Sequence, residues 1–252
     1  MRMTSKDCIR TLSRGVDEQV RLICFPHAGA GASIYHAWTR LLPSSVGVYG
    51  VQLAGREQRI DQPFVVDWAP VIEEIRDALA GLDDKPFSFY GHSLGGLIAY
   101  EVASALQHEG AQAPQVLVAG GSYAPSAVRK EATLFDDEAG LMRAVHRLGG
   151  VDDELIGNVD FIHHFLPVIA ADFTLFNRYT YDAARDPLDC PVVALFGTRD
   201  ADHGLASATR WRAHTRGDFQ AYEVDGGHFF HRECARETVD LVTRRIRDGV
   251  ER

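Results

Sequence analysis

The stretch Phe87-Ser88-Phe89-Tyr90-Gly91-His92-Ser93-Leu94-Gly95-Gly96 constrains the fold more than any other part of this chain. An apolar strand runs into a serine with a glycine two residues before it and another two after it. A helix is expected to begin near Leu94. Gly91-His92-Ser93-Leu94-Gly95 fits the G-x-S-x-G pattern of the nucleophile elbow. A serine at the tip of so sharp a turn sits in a strained backbone conformation, and the residues two places to either side crowd the turn, so both must be small. The turn lifts Oγ out of the sheet beside the N-terminus of the next helix. Free N–H groups and the positive dipole end there favour a developing negative oxygen. Five residues alone are a weak signal, and the strand before and helix after them are what strengthen it.

The rest of the chain repeats that rhythm. Ile9 to Ser13 is a candidate edge strand, and Val20 to Pro26 reads as a buried parallel strand. A glycine-rich loop follows, His27-Ala28-Gly29-Ala30-Gly31-Ala32. Ser33 is positioned to cap the next helix, with Tyr35, Trp38, Leu41 and Leu42 as its apolar stripe. Val46 to Leu53 is a second strand, and Trp68 to Leu82 an amphipathic helix with Val71, Ile72, Ile75, Leu79 and Leu82 on one face. After the elbow strand and its helix to about Gln107 come three more strands, Val116–Gly121, Pro191–Gly197 and Phe219–Val224. Ala206–Thr215 and Arg236–Arg247 read as helices. Strand–helix alternation implies an α/β fold with a mostly parallel sheet and right-handed crossovers.

The rhythm breaks between residues 125 and 187. Helical segments are expected around Asp137–Leu148 and Phe161–Tyr181, interrupted by Gly149-Gly150 and Gly157-Asn158. The second carries Phe161, Phe165, Leu166, Ile169, Phe173, Phe176 and Tyr179. It reads as a core helix, as a cap over a site, or as both, because a cap helix must itself pack on something. The expectation is one domain over residues 1–252, with a helical lid insertion at 125–187 in which Phe161, Phe165, Phe173 and Phe176 line an apolar channel.

A serine hydroxyl is a poor nucleophile near neutral pH unless a base takes its proton and an acid orients the base. In this fold the chain order is Ser, then Asp or Glu, then His. Asp200 follows a strand in Gly197-Thr198-Arg199-Asp200, and His228 follows the last strand in Asp225-Gly226-Gly227-His228. Both fall on the edge where open α/β sheets place their sites. Asp202 and Asp225 are rival carboxylates. Asp200 comes first after the strand and its glycine turn, and Asp225 reads better as a turn former. Two backbone donors are needed for an oxyanion. Leu94 N–H, directly after the serine, is one. Ala28 N–H in the glycine-rich loop is the other, with Gly29 as the competing neighbour.

Among the other histidines, His146, His163, His164, His203, His214 and His231 form no metal-spacing motif, so no metal is expected. The glycine-rich loop lacks the Gly-Lys-Ser/Thr ending of a phosphate loop, and no G-x-G-x-x-G follows the first buried strand. A net charge of -9 argues against a general nucleic-acid binder. No apolar run follows Met1 to Asp7, and no stretch approaches the roughly 20 apolar residues of a membrane span. Cys8, Cys24, Cys190 and Cys234 are scattered with no C-x-x-C pair, so a cytoplasmic setting without a disulfide framework is expected.

With these residues assembled, the chain resembles the type II thioesterases of polyketide and non-ribosomal peptide biosynthesis, a family of α/β-hydrolases. The resemblance spans nearly the whole length. It rests on Phe25-Pro26-His27-Ala28-Gly29-Ala30, Leu53-Ala54-Gly55-Arg56-Glu57-Gln58-Arg59, Gly91-His92-Ser93-Leu94-Gly95-Gly96, Phe196-Gly197-Thr198-Arg199-Asp200 and Gly226-Gly227-His228-Phe229-Phe230. The first two segments separate this family from generic lipases and esterases. Departures are Ala54 where the family often has proline, Leu94 where it often has methionine, and Ala201 where proline often follows the acid. None removes a reacting group. The resemblance implies hydrolysis of acyl thioesters on the phosphopantetheine arm of acyl or peptidyl carrier proteins, by a cofactor-free monomer. It implies Ser93, Asp200 and His228 as the catalytic residues. Carrier proteins are usually acidic, as this chain is, so docking calls for a local basic rim, with Arg56, Arg59, Arg210 and Arg212 as candidates. The alternatives are a carboxylester or acyl-CoA hydrolase using the same three residues, and a non-hydrolytic carrier-binding partner.

Overall fold

The computed structural model describes residues 5–128 and 159–250. Its strands are β1 (Ile9–Ser13), β2 (Val20–Phe25), β3 (Val46–Val51), β4 (Phe87–His92), β5 (Leu117–Gly120), β6 (Val192–Gly197) and β7 (Phe219–Val224). Its helices are α1 (Trp68–Leu79), α2 (Leu94–His108), α3 (Val159–Asn177), α4 (Leu205–Ala208), α5 (Phe230–Glu233) and α6 (Ala235–Val250). The strands form one sheet in the order β1-β3-β2-β4-β5-β6-β7. Among the described strands β1 alone runs antiparallel, on β3 at the edge, and the other named pairings are parallel. This is the α/β-hydrolase arrangement that the strand–helix alternation and the elbow motif predict.

The central strands are apolar on both faces because both faces are covered. Alternate residues of one strand point to opposite sides. Ile23 and Phe25 pack with Phe89, Val71 and Ile75 of α1 and Ile98 of α2, whereas Leu22 and Cys24 pack with Tyr35, Trp38 and Val239 of α6. The central helix α2 is buried on nearly every side from Leu94 to Ser104. That explains its glycines and alanines, which let it lie close under the sheet.

Two local expectations are corrected. The turn after the glycine-rich loop is a 3₁₀ helix, Ala32–Arg40, that starts behind Gly31. Ser33 does not cap it. Its Oγ donates to Glu57 Oε1 at 2.6 Å. The same carboxylate occupies the space where a Cβ on residue 31 would stand, 2.2 Å away, so a side chain there would have to displace Glu57 from Ser33. Arg56 and Arg59 are not rim residues either. They are 6% and 3% exposed, because each guanidinium is turned inward onto a carboxylate, Arg56 onto Asp172 and Arg59 onto Glu74. Arg210 and Arg212 are exposed.

Between β5 and β6 the chain makes its longest excursion. The helix expected over Asp137–Leu148 lies outside the described residues. The helix expected over Phe161–Tyr181 is α3, and its C-terminal half packs on the body of the molecule. Val168, Ile169, Ala171, Asp172 and Leu175 are buried. Trp68 Nε1 donates to the Leu175 carbonyl at 2.7 Å, and Tyr179 Oη to Glu101 Oε1 at 2.7 Å. No helix among the described residues is long and apolar enough to cross a membrane.

Candidate active site

Ser93 lies between β4 and α2 with φ 54° and ψ -120°, in the left-handed region that non-glycine residues rarely adopt. Steric exclusion fixes its neighbours. A Cβ on residue 91 would stand 2.3 Å from the Gly95 carbonyl oxygen, and one on residue 95 would stand 2.2 Å from the Phe25 carbonyl oxygen. The strained turn is held by Ser93 N–H donating to the Gly120 carbonyl at 2.8 Å and by Gly96 N–H donating to Ser93 O at 3.0 Å. Ser93 is half-buried, at the mouth of the sheet rather than inside it.

Asp200 and His228 arrive from the ends of β6 and β7. Their loops are laced together, with Thr198 N–H on Val224 O at 3.0 Å and Arg199 N–H on Gly226 O at 2.9 Å. The approach is so close that a Cβ on residue 197 would meet the Gly227 carbonyl oxygen at 2.5 Å. This brings His228 Nδ1 to 2.7 Å from Asp200 Oδ2. A carboxylate only accepts, so Nδ1 carries the proton and Nε2 is left with its lone pair. Of the three carboxylates weighed from sequence, Asp200 is the one that reaches His228. Asp202 is exposed, and Asp225 pairs with Arg199 on the surface.

Asp200 is 8% exposed. Burial alone would raise its pKa. Hydrogen bonds from His203 and His228 overcome that and hold it well below the usual carboxylate range. His228, 5% exposed, is pushed below the ordinary histidine value by burial, which its bond to Asp200 only partly offsets. The imidazole is therefore neutral near pH 7, the form a proton acceptor needs.

The glycine-rich loop expected to carry an oxyanion donor is held by a contact that spacing does not reveal. Gly29, at φ 81°, donates its N–H to Asp172 Oδ2 of α3 at 2.7 Å. Asp172 also binds Arg56 through two parallel contacts of 2.6 and 2.7 Å. Gly29 N–H is thereby occupied, so of the two competing donors Ala28 N–H is the available one. Its peptide is fixed from the other side, because Ala30 N–H donates to His27 O at 3.1 Å. Leu94 N–H stands in the first turn of α2, where helical N–H groups have no intrahelical partner.

The sequence reading missed three residues here. His92, an unspecified x in the elbow motif, donates Nε2–H to the His228 carbonyl at 2.7 Å, and its Nδ1 accepts from Tyr90 Oη at 3.0 Å. It ties the loop of His228 to the residue before Ser93. His203 Nδ1 lies 3.2 Å from Asp200 Oδ1. Its place three residues after Asp200 was the available signal. Asp172 had none, since a lone acid on an apolar helix reads as an exposed position. The predicted channel residues divide. Phe165 is exposed, Phe173 is half-buried, Phe176 packs against the core, and the side chain of Phe161 lies outside the described residues.

The fold, a serine in a strained turn and a buried aspartate–histidine pair are the features of an α/β-hydrolase. The model of the thioesterase domain family matches residues 20–248, and the chain belongs to that family, among the type II thioesterases of polyketide and non-ribosomal peptide pathways; it is a thioester hydrolase. A medium-chain S-acyl fatty acid synthase thioesterase of Anas platyrhynchos is 33% identical over 91% of this chain and 93% of its own length. The structure of RedJ, the thioesterase of the prodiginine pathway in Streptomyces coelicolor, superposes with a TM-score of 0.85 at 32% identity, over 90% of this chain and 91% of that one. The type II thioesterase BorB of the borrelidin biosynthetic cluster superposes at 0.84 with 27% identity, over 94% and 96%.

Proposed function

We propose that the chain hydrolyses acyl groups from the phosphopantetheine arm of acyl or peptidyl carrier proteins, removing stalled or wrong intermediates through Ser93, His228 and Asp200. One observation carries this reading: the 2.7 Å bond between His228 Nδ1 and Asp200 Oδ2 beside a serine held at positive φ. The kinship to biosynthetic thioesterases supports this substrate class. Ser93 Oγ adds to the thioester carbonyl carbon while its proton passes to His228 Nε2. Ala28 and Leu94 N–H groups donate to the oxyanion. Collapse expels the pantetheine sulfur, which takes the proton from His228 Nε2. Water then gives its proton to Nε2, adds to the acyl-enzyme, and the acid leaves as Ser93 recovers its proton. Asp200 holds the Nδ1–H tautomer and stabilises the cation.

Every group in this scheme is a residue of the chain, so no cofactor enters it. Residues 1–252 act as one domain, with 125–187 as a lid. The burial of one half of α3 and the exposure of Phe165 on the other support a cap helix rooted in the core. A partly exposed Phe165 is suited to meeting an acyl chain or a carrier surface. The enzyme is expected to act as a cytoplasmic monomer, and Arg210 and Arg212 are the remaining basic candidates for carrier docking.

The test is kcat/KM on an acyl-carrier thioester against the matched oxygen ester. A marked preference for the carrier thioester is expected, and a preference for the ester would sink the editing role. A serine-directed phosphonate should add its mass to the wild-type chain and not to Ser93→Ala. No adduct on the wild type would instead favour a non-hydrolytic carrier-binding partner.

A further inference from the structure

In a Ser-His-Asp arrangement the carboxylate needs one histidine, yet Asp200 has two. His228 Nδ1 faces Oδ2 at 2.7 Å and His203 Nδ1 faces Oδ1 at 3.2 Å. The three ligand-type atoms all lie within 4.8 Å of one another, and all three residues are buried. We propose that Asp200, His203 and His228 form an inhibitory binding site for a zinc ion.

Two imidazole nitrogens and one carboxylate are a donor set that zinc accepts, with a fourth position left for water. The set is also held in place. Asp202 and His203 N–H groups both donate to Asp200 Oδ1 at 3.2 Å, which fixes the carboxylate as outer-shell donors do in metal sites. The His203 ring lies between Tyr123, at 4.3 Å between centroids, and His228, at 4.8 Å. His203 and Asp200 sit on one short loop, and His228 on the loop laced to it. Little reorganisation is needed to draw the three donors around one ion.

The consequence for catalysis follows from the tautomer. Without metal, the proton of neutral His228 is on Nδ1 and the lone pair on Nε2. Zinc binds through an in-plane lone pair on Nδ1, so Nδ1 gives up its proton and the neutral ring carries it on Nε2 instead. His203 shifts its proton in the same way. No electrons are transferred and no proton need be lost. The imidazole then presents N–H, not a lone pair, to Ser93, and cannot accept the hydroxyl proton. The lock acts on the base and leaves the acyl-binding face open, so kcat should fall while KM stays near its unmetallated value.

The kinetic arm of the test rests on the proposed function, so binding is measured separately, on the full chain carrying Ser93→Ala. Titration calorimetry with zinc chloride should show one ion per chain. His203→Gln in that background should weaken binding more than about tenfold, and magnesium should not bind. Circular dichroism checks the fold, and His203→Asn replaces the glutamine variant if that one does not fold. In the wild type, zinc should lower kcat reversibly, with recovery on EDTA, and His203→Gln should need a correspondingly higher zinc concentration. No binding to the Ser93→Ala chain, or binding indifferent to His203, overturns the site and would place any zinc effect elsewhere, for instance on Cys190 or Cys234. Binding that depends on His203 in a chain with no thioesterase activity upholds the site and overturns the proposed function instead.

Discussion

Asp172 of α3 accepts the Gly29 backbone N–H at 2.7 Å, so a helix from the excursion between β5 and β6 holds the loop that carries the proposed oxyanion donor. The same carboxylate is bidentate to Arg56, with both side chains nearly enclosed. Stability and activity at this point are therefore separable. Asp172→Ala leaves a buried, unpaired guanidinium and should cost about 3–5 kcal/mol in urea unfolding. Replacing both partners with apolar residues, Asp172→Leu with Arg56→Met, should restore most of that stability, since a buried ion pair exchanged for well-packed side chains is often neutral. The double variant should still show reduced kcat, because Gly29 N–H has lost its acceptor. Full recovery of kcat would mean that Asp172 does not position the loop.

Gly29 itself offers a second handle. Its φ of 81° disfavours any residue with a Cβ, and that Cβ would stand 2.7 Å from Ile169 Cγ1. Gly29→Ala should cost about 1–2 kcal/mol from backbone strain alone, and the contact adds to this. Pairing it with Ile169→Ala should relieve the clash without relieving the backbone. Activity measured on the pair should stay below that of Ile169→Ala alone. Equal activity would show that the loop tolerates a shift of its peptide planes.

For the reacting groups, Ser93→Ala or His228→Ala should lower kcat by on the order of 10⁴–10⁶ with little change in unfolding midpoint. Asp200→Asn should cost about 10⁴, through the wrong tautomer of His228. Single-turnover kinetics on a carrier-bound acyl group give the comparison. A value for Asp200→Asn within tenfold of wild type would mean that another acceptor, such as Asp202, orients the base.

Acid should unfold this protein through its buried histidines. Burial lowers His27 from 6.5 to about 4, outweighing its hydrogen bond to the Ala28 carbonyl, and burial lowers His214 to about 4. Both are neutral in the folded chain at pH values where the unfolded chain protonates them. Between pH 6.5 and about 4 the unfolded state binds more protons, so stability falls as pH drops through that window. Each group contributes a slope of up to about 1.4 kcal/mol per pH unit. Below about pH 4 these two contributions level off, while His231, held well below 6.5 mainly by burial, extends the decline. Urea midpoints at half-unit steps from pH 7 to 4 measure the slope, and His214→Gln should reduce it. A flat profile would mean that these rings titrate alike in both states.

Where the sequence carried strong local patterns, the structure followed them. The last strand, Phe219–Val224, has the bounds its alternation predicts, since strand periodicity and turn residues are local properties. The shift from α-helix to a 3₁₀ turn at Ala80–Leu82 was not readable, because one apolar stripe serves both. The four arginines proposed for a basic rim were read by charge alone. Whether an arginine faces water depends on a partner distant in sequence: Asp172 lies 116 residues from Arg56.

By itself the sequence determined the elbow, the chain order of the proposed serine, acid and base, and the need for glycine around the serine, because steric limits act over a few residues. The tertiary structure alone decided that Asp200 serves two histidines, that His92 ties the loop of His228 to the turn of Ser93, and that Asp172 leaves Ala28 rather than Gly29 free to donate. Each of these is a hydrogen bond, with a reach of about 3 Å. Whether two groups meet at that range depends on how strands and loops are packed side by side, and chain spacing does not encode it.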